Sequence, residues 1–157
     1  MIILIDSREQ QPLKFPGVDT KEAYLETGDY TIEGFEDRFA VERKSINDLA
    51  NSVGTDRDRF EAEIKRAQSM DEFVVVVEGT PEDIRTGSYY SQIHPNAVLG
   101  TVEKWPWKYD RLDFDWAGTD DDGESLNLTE SQTKERAAAE TLRLLDRWYL
   151  RAASDLF

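Results

Sequence analysis

Five consecutive apolar residues, Phe73-Val74-Val75-Val76-Val77, constrain most tightly what this chain can fold into. Valine's branched side chain favours extended backbone. Successive side chains of a strand point to opposite faces, so an uninterrupted apolar run has to be buried on both. It therefore reads as a fully buried strand, ended by Glu78-Gly79. Met1–Ile5 has the same character and reads as a buried central strand that runs into Asp6-Ser7-Arg8-Glu9. Polar groups at the C-terminal end of such a strand occupy a common site position in α/β sheets.

Shorter segments fill in the rest. Lys21–Glu26 and Tyr30–Phe35 read as strands around a turn at Gly28, Phe39–Lys44 follows the polar turn Glu36-Asp37, and Leu112–Trp116 reads as an edge strand. Ser45 and Asp48 have the spacing of a capping box that starts a helix. Asp56–Met70 is helical, with Phe60, Ile64 and Ala67 on one face, and Thr80 caps a short helix opening on Pro81. Pro95 to about Lys108 reads as a helix that Pro106 should end or kink. Ala117–Glu130 is loop-like, and a long helix runs from about Glu130 to Ala153 with an apolar stripe of Ala138, Leu142, Leu145 and Tyr149. A length of 157 residues suits a single domain, 1–157.

Composition removes several chemistries. There is no cysteine, so disulfides, thiolate metal sites and Cys nucleophiles are excluded, and the single histidine, His94, cannot build a multi-histidine site. Any catalytic metal has to be held by oxygen ligands. No long apolar run and no basic-then-apolar leader is visible, so a soluble, cytoplasmic protein without a membrane partner is expected. Against that background, Gly28-Asp29-Tyr30 and Glu42-Arg43-Lys44-Ser45 stand out. On a strand Glu42 and Lys44 share a face and Arg43 points away. If the segment carrying Asp29 pairs beside it, Asp29 and Glu42 can close on one divalent cation, with Lys44 reaching the attacking water or the scissile phosphate. The bare spacing is also met by charged residues on a solvated strand face.

Asp6-Ser7-Arg8-Glu9, Gly28-Asp29-Tyr30 and Val41-Glu42-Arg43-Lys44-Ser45-Ile46-Asn47-Asp48-Leu49 together resemble the XPF-type (ERCC4-like) nuclease domain of structure-specific endonucleases, with its GD…ERKxxxD signature. Asp58-Arg59-Phe60 and Phe73–Gly79 extend the likeness. The resemblance implies an α/β restriction-endonuclease-like fold of the PD-(D/E)XK type, with a central mixed β-sheet flanked by helices. It implies cleavage of branched, flap or fork DNA in repair or recombination. In that family's pattern Asp29 and Glu42 ligate Mg²⁺ or Mn²⁺, together with the main-chain carbonyl of Arg43, and Lys44 orients or deprotonates a water. Asp6 and Glu9 complete the acidic cluster. Asp48 is divided between capping and catalysis, and the Arg43 side chain braces Asp48 or another acid. Arg8 and Arg59 are candidates for phosphate contact. Trp105, Trp107 and Tyr109 read as core or dimer packing before they read as a base-stacking platform.

Larger members of that family carry helix-hairpin-helix modules that residues 1–157 lack, so a stand-alone domain is expected, helped by a homodimer or heterodimer contact on the apolar stripe of the C-terminal helix. The alternative reading is a catalytically silent DNA-structure-binding or dimer-partner module; the intact acids and Lys44 favour the enzyme. If the protein is cellular, it should associate with the nucleoid.

The net charge of −14 has the wrong sign for simple phosphate attraction. A DNA enzyme from a high-salt cytoplasm would tolerate it, because concentrated salt screens charge over a few ångströms. A halophilic origin predicts that the unfolding midpoint rises with KCl concentration; greatest stability in dilute buffer would contradict it.

Overall fold

The computed structural model describes residues 1–155; Leu156 and Phe157, the last two positions of the expected domain, lie outside them. Both apolar runs enter one sheet. Its strands are β1 (Ile3–Asp6), β2 (Thr20–Ala23), β3 (Tyr30–Ile32), β4 (Phe39–Ser45), β5 (Glu72–Glu78) and β6 (Leu112–Trp116). The helices are α1 (Ile46–Val53), α2 (Arg57–Ala67), α3 (Pro81–Arg85), α4 (Pro95–Lys108) and α5 (Glu130–Ser154). Strand order is β2-β1-β3-β4-β5-β6. β3 is antiparallel to both β1 and β4, and the remaining pairs are parallel, so the sheet is mixed as expected.

The valine run explains the layering. Val74 and Val76 of β5 face α5, while Phe73, Val75 and Val77 face α1, α2 and α4. β4 alternates in register with it. Phe39 and Val41 join the α5 side, and Ala40 joins the other. Continuing that alternation, Glu42 and Lys44 fall on the α1–α2 side and Arg43 on the α5 side. The side chain of Trp148 is fully buried and stacks on Phe39 with ring centroids 5.2 Å apart, while its indole N–H donates to Glu72.

Several elements follow their local signals. Ser45 and Asp48 form both hydrogen bonds of a capping box at the start of α1, and Thr80 with Asp83 and Thr129 with Gln132 do the same for α3 and α5. Three expectations shift. β2 stops at Ala23 because the Leu25 amide turns inward to donate to Asp6, and β3 stops at Ile32 as the chain turns through Gly34. Pro106 stays inside α4, which ends two residues later; its position in the last turn forfeits little of the helix ladder. The buried face of α5 is Ala137, Thr141, Leu144, Leu145, Trp148 and Ala152, with Ala138, Leu142 and Tyr149 half-buried at its border against the same core. The stripe expected to offer a dimer surface is thus consumed by the chain's own sheet. On the outer face of α5 Leu150 is exposed.

Gly28 fixes how closely the segment before β3 lies on β4. Its φ is +79°, and a Cβ there would sit 2.8 Å from the Cβ of Ala40 and 3.1 Å from the Val41 carbonyl oxygen. Gly28→Ala combines left-handed strain with overpacking and is expected to cost about 2–4 kcal/mol in denaturant unfolding. A loss below about 0.5 kcal/mol, the range of an ordinary surface substitution, would contradict this account of the turn.

Candidate active site

The close approach at Gly28 places Asp29 between two strands. Its amide donates to the Val41 carbonyl and its carbonyl accepts from the Asp6 amide, each at 2.8 Å. One carboxylate oxygen, Oδ2, accepts from the Arg43 amide at 2.8 Å. The side chain is therefore held by main-chain atoms, and its second oxygen faces the cleft. In an extended strand the N–H and C=O of one residue point to the same side. The Arg43 carbonyl consequently points the way its amide does, towards Asp29 and past the end of the β3 ladder at Tyr30.

Asp29, Glu42 and Lys44 line one cleft of about 440 Å³ between the sheet and α2. The side chains of Glu42 and Lys44 are only 13% and 11% exposed, and the ammonium lies 3.6 Å from Glu42 Oε1. Lys44 is also held over the Phe60 ring, 4.6 Å from its centroid. Burial pushes the Asp29 carboxyl up to about 7, with Glu9 adding and the Arg43 amide and Lys44 opposing. Glu42 is raised well above the usual carboxylate range by burial, by Asp29 and by Glu63. Two buried carboxyls that repel each other beside a lysine form a site that a cation relieves.

The other expected residues surround this trio. Asp6 is buried, with Oδ1 accepting from the Leu25 amide and Oδ2 from Arg8 Nε. Glu9 accepts from the Tyr30 hydroxyl and from Arg43. Both line the cleft; both Asp6 oxygens are engaged in bracing its walls, and of Glu9 the oxygen Oε2 is. Arg43 reaches through the α5 side of β4 to Glu78 and Glu9 and to the Gln11 carbonyl, and so braces acids other than Asp48. Asp48 is an exposed cap residue outside the cleft lining. Arg8 and Arg59 sit on the rim, the latter beside Asp56 at 3.2 Å. Trp105 and Tyr109 are buried in the core, whereas Trp107 is exposed.

Glu63 was missing from the sequence expectation. It lies on α2 beside the buried residues Phe60 and Ile64, but Glu61 flanks the same stripe, so no local signal singles it out. Arg66, one turn on, also lines the cleft.

Among the described residues no three His, Cys, Asp or Glu side chains are grouped to hold an ion by themselves. The donors present are two carboxylates and a main-chain carbonyl, all hard oxygens. They fit Mg²⁺ or Mn²⁺, ions that keep several waters and take substrate oxygens.

The electrostatics set a pH dependence for the metal-free protein. A carboxyl whose pKa is raised by folding contributes fully below its ordinary value, 3.8 for Asp29, and loses that contribution as pH climbs towards 7. Glu42 acts in the same direction. The thermal midpoint is expected to fall between about pH 5 and pH 7, and Asp29→Asn should flatten that slope. A midpoint rising over this window, or an unchanged slope in the variant, would contradict the burial assigned to Asp29.

No curated protein matches the chain. Among solved structures it is similar to XPF from Aeropyrum pernix, with a TM-score of 0.56 and 23% identity, over 90% of this chain and 62% of that one. That likeness bears on the fold, and the chain spans less than two thirds of the matched structure. The model of the ERCC4 domain matches residues 5–122, a range containing Asp6, Asp29, Glu42, Lys44 and Glu63. With the match covering most of the sequence, the chain belongs to the ERCC4 domain family.

Proposed function

We propose that the protein is a metal-dependent endonuclease that hydrolyses phosphodiester bonds in branched, flap or fork DNA. The observation that carries this reading is the trio in the cleft: two carboxyls, both pushed towards neutrality, with the Lys44 ammonium 3.6 Å from one of them. A purely structural lysine–glutamate pair would not require a second buried carboxyl beside it. Asp29, Glu42 and the Arg43 carbonyl would hold Mg²⁺ or Mn²⁺. When bound, such an ion supplies positive charge to the scissile phosphate and acidifies a water.

The chain's own residues do the rest. The main-chain bonds to Asp29 keep its free oxygen aimed into the cleft without side-chain reorganisation. Lys44, confined by Phe60 and Glu42, donates to the attacking water or to a non-bridging phosphate oxygen as negative charge develops. Glu63, on the same cleft, offers a third carboxylate to accept the proton that the water releases. Arg8 and Arg59 meet the flanking phosphates at the rim, a local exception to an acidic surface.

Fork, flap and linear duplex DNA should be incubated with the protein and Mg²⁺ or Mn²⁺ at several KCl concentrations. The fork or flap is expected to be cut, chelation to abolish cutting, and Lys44→Ala or Asp29→Ala to lower the rate at least about 10²-fold with the fold intact by circular dichroism. Cleavage that survives both substitutions would dismiss this site. No cleavage by the unaltered protein under any of these conditions would favour a catalytically silent DNA-binding module.

A further inference from the structure

A second cleft, of about 500 Å³, adjoins the catalytic one and shares Glu26 and Arg66 with it. Its floor is apolar, made by the buried residues Leu25 and Met70, and its outer wall is Tyr24. Tyr24 is 69% exposed. Its ring is nevertheless held. The Arg8 guanidinium lies over it, 4.9 Å from the centroid, and Arg8 is itself pinned by Nε to the buried Asp6 and by a second nitrogen to the Leu25 carbonyl. One face of the ring is covered by a fixed cation, and the other is open.

We propose that this cleft seats an unpaired nucleotide next to the scissile phosphate, with its base stacked on the open face of Tyr24 and its phosphate met by Arg66. The proposal rests on the nucleic-acid reading of the neighbouring site. An exposed aromatic face and a nearby arginine are the two elements that single-strand recognition uses, and stacking accepts any base. The carboxylates of Glu26, Glu36 and Asp37 on the cleft wall repel a phosphate but accept hydrogen bonds from exocyclic amino groups. They therefore select for a base directed inwards and a backbone kept at the rim. A base inside a duplex has its faces covered by its neighbours and its Watson–Crick edge occupied. The cleft consequently discriminates DNA with an unpaired nucleotide beside the cut from continuous duplex, and it gives a junction preference without any further domain.

The test compares fork and duplex DNA of equal length in the unaltered protein, Tyr24→Ala and Tyr24→Phe. Equilibrium binding is read by fluorescence anisotropy with Ca²⁺ in place of Mg²⁺, and cleavage is read with Mg²⁺, both at one fixed KCl concentration. Tyr24→Ala should reduce the fork-over-duplex affinity ratio roughly tenfold, the loss of one base–aromatic stack, while Tyr24→Phe keeps it. An unchanged ratio in Tyr24→Ala overturns the proposal, as does an unaltered protein that binds fork and duplex equally. A fork preference that depends on Tyr24 in a protein that cuts nothing supports the cleft and removes the nuclease reading. Cutting with a preference indifferent to Tyr24 does the reverse, and failure to bind either DNA removes both.

Discussion

The hydrogen bond from the Arg43 amide to Asp29 is the contact on which the site's geometry depends. It joins the turn before β3 to the middle of β4 at the point where the ladder between those strands gives out. Gly28 permits the approach, and the Val41 and Asp6 main-chain bonds fix the depth at which Asp29 sits. The alternation of β4 then delivers Glu42 and Lys44 to the same cleft and sends Arg43 to the opposite face. There the Arg43 guanidinium binds Glu78 and Glu9 together and so ties the end of β5 and the segment after β1 to the site strand. One residue thus contributes its amide and carbonyl to the site and its side chain to the frame.

That arrangement concentrates charge where burial makes it costly. Asp29 and Glu42 are disfavoured as anions by the same packing that aims them, and Lys44 offsets only part of the penalty. The proposed metal-dependent role gives that cost a reason, since a bound cation would relieve it. The surface has the opposite problem, because a net charge of −14 repels DNA at long range. Arg8, Arg59 and Arg66 line the cleft, and under the proposed function they would offset this locally, within a distance over which salt screens the remainder of the protein.

Much of this was legible in the sequence because it is written in short-range patterns. The five apolar residues of β5 announce a strand covered on both faces, the spacing of Ser45 and Asp48 announces a capped helix, and Glu42 and Lys44 are placed on one face by the strand period alone. What was not legible depends on partners distant in sequence. Glu63 faces Glu42 only because α2 crosses the sheet there, and nothing local distinguishes it from Glu61. The bracing of Arg43 by Glu78 is set by the parallel pairing of β4 with β5. On α5 the stripe Ala138, Leu142, Leu145 and Tyr149 lies to one side of the buried face centred on Ala137, Thr141, Leu144 and Trp148, and only the position of the sheet shows that this side is covered too.

Under the proposed function Asp29 and Glu42 together hold one divalent cation, and anomalous diffraction from crystals soaked in Mn²⁺ would locate it. A single peak bonded to one oxygen of each carboxylate and to the Arg43 carbonyl, at about 2.0–2.3 Å, is the predicted result. Strong Mn²⁺ density elsewhere, such as on the acidic turn Asp120–Asp122, with none between Asp29 and Glu42, would contradict it.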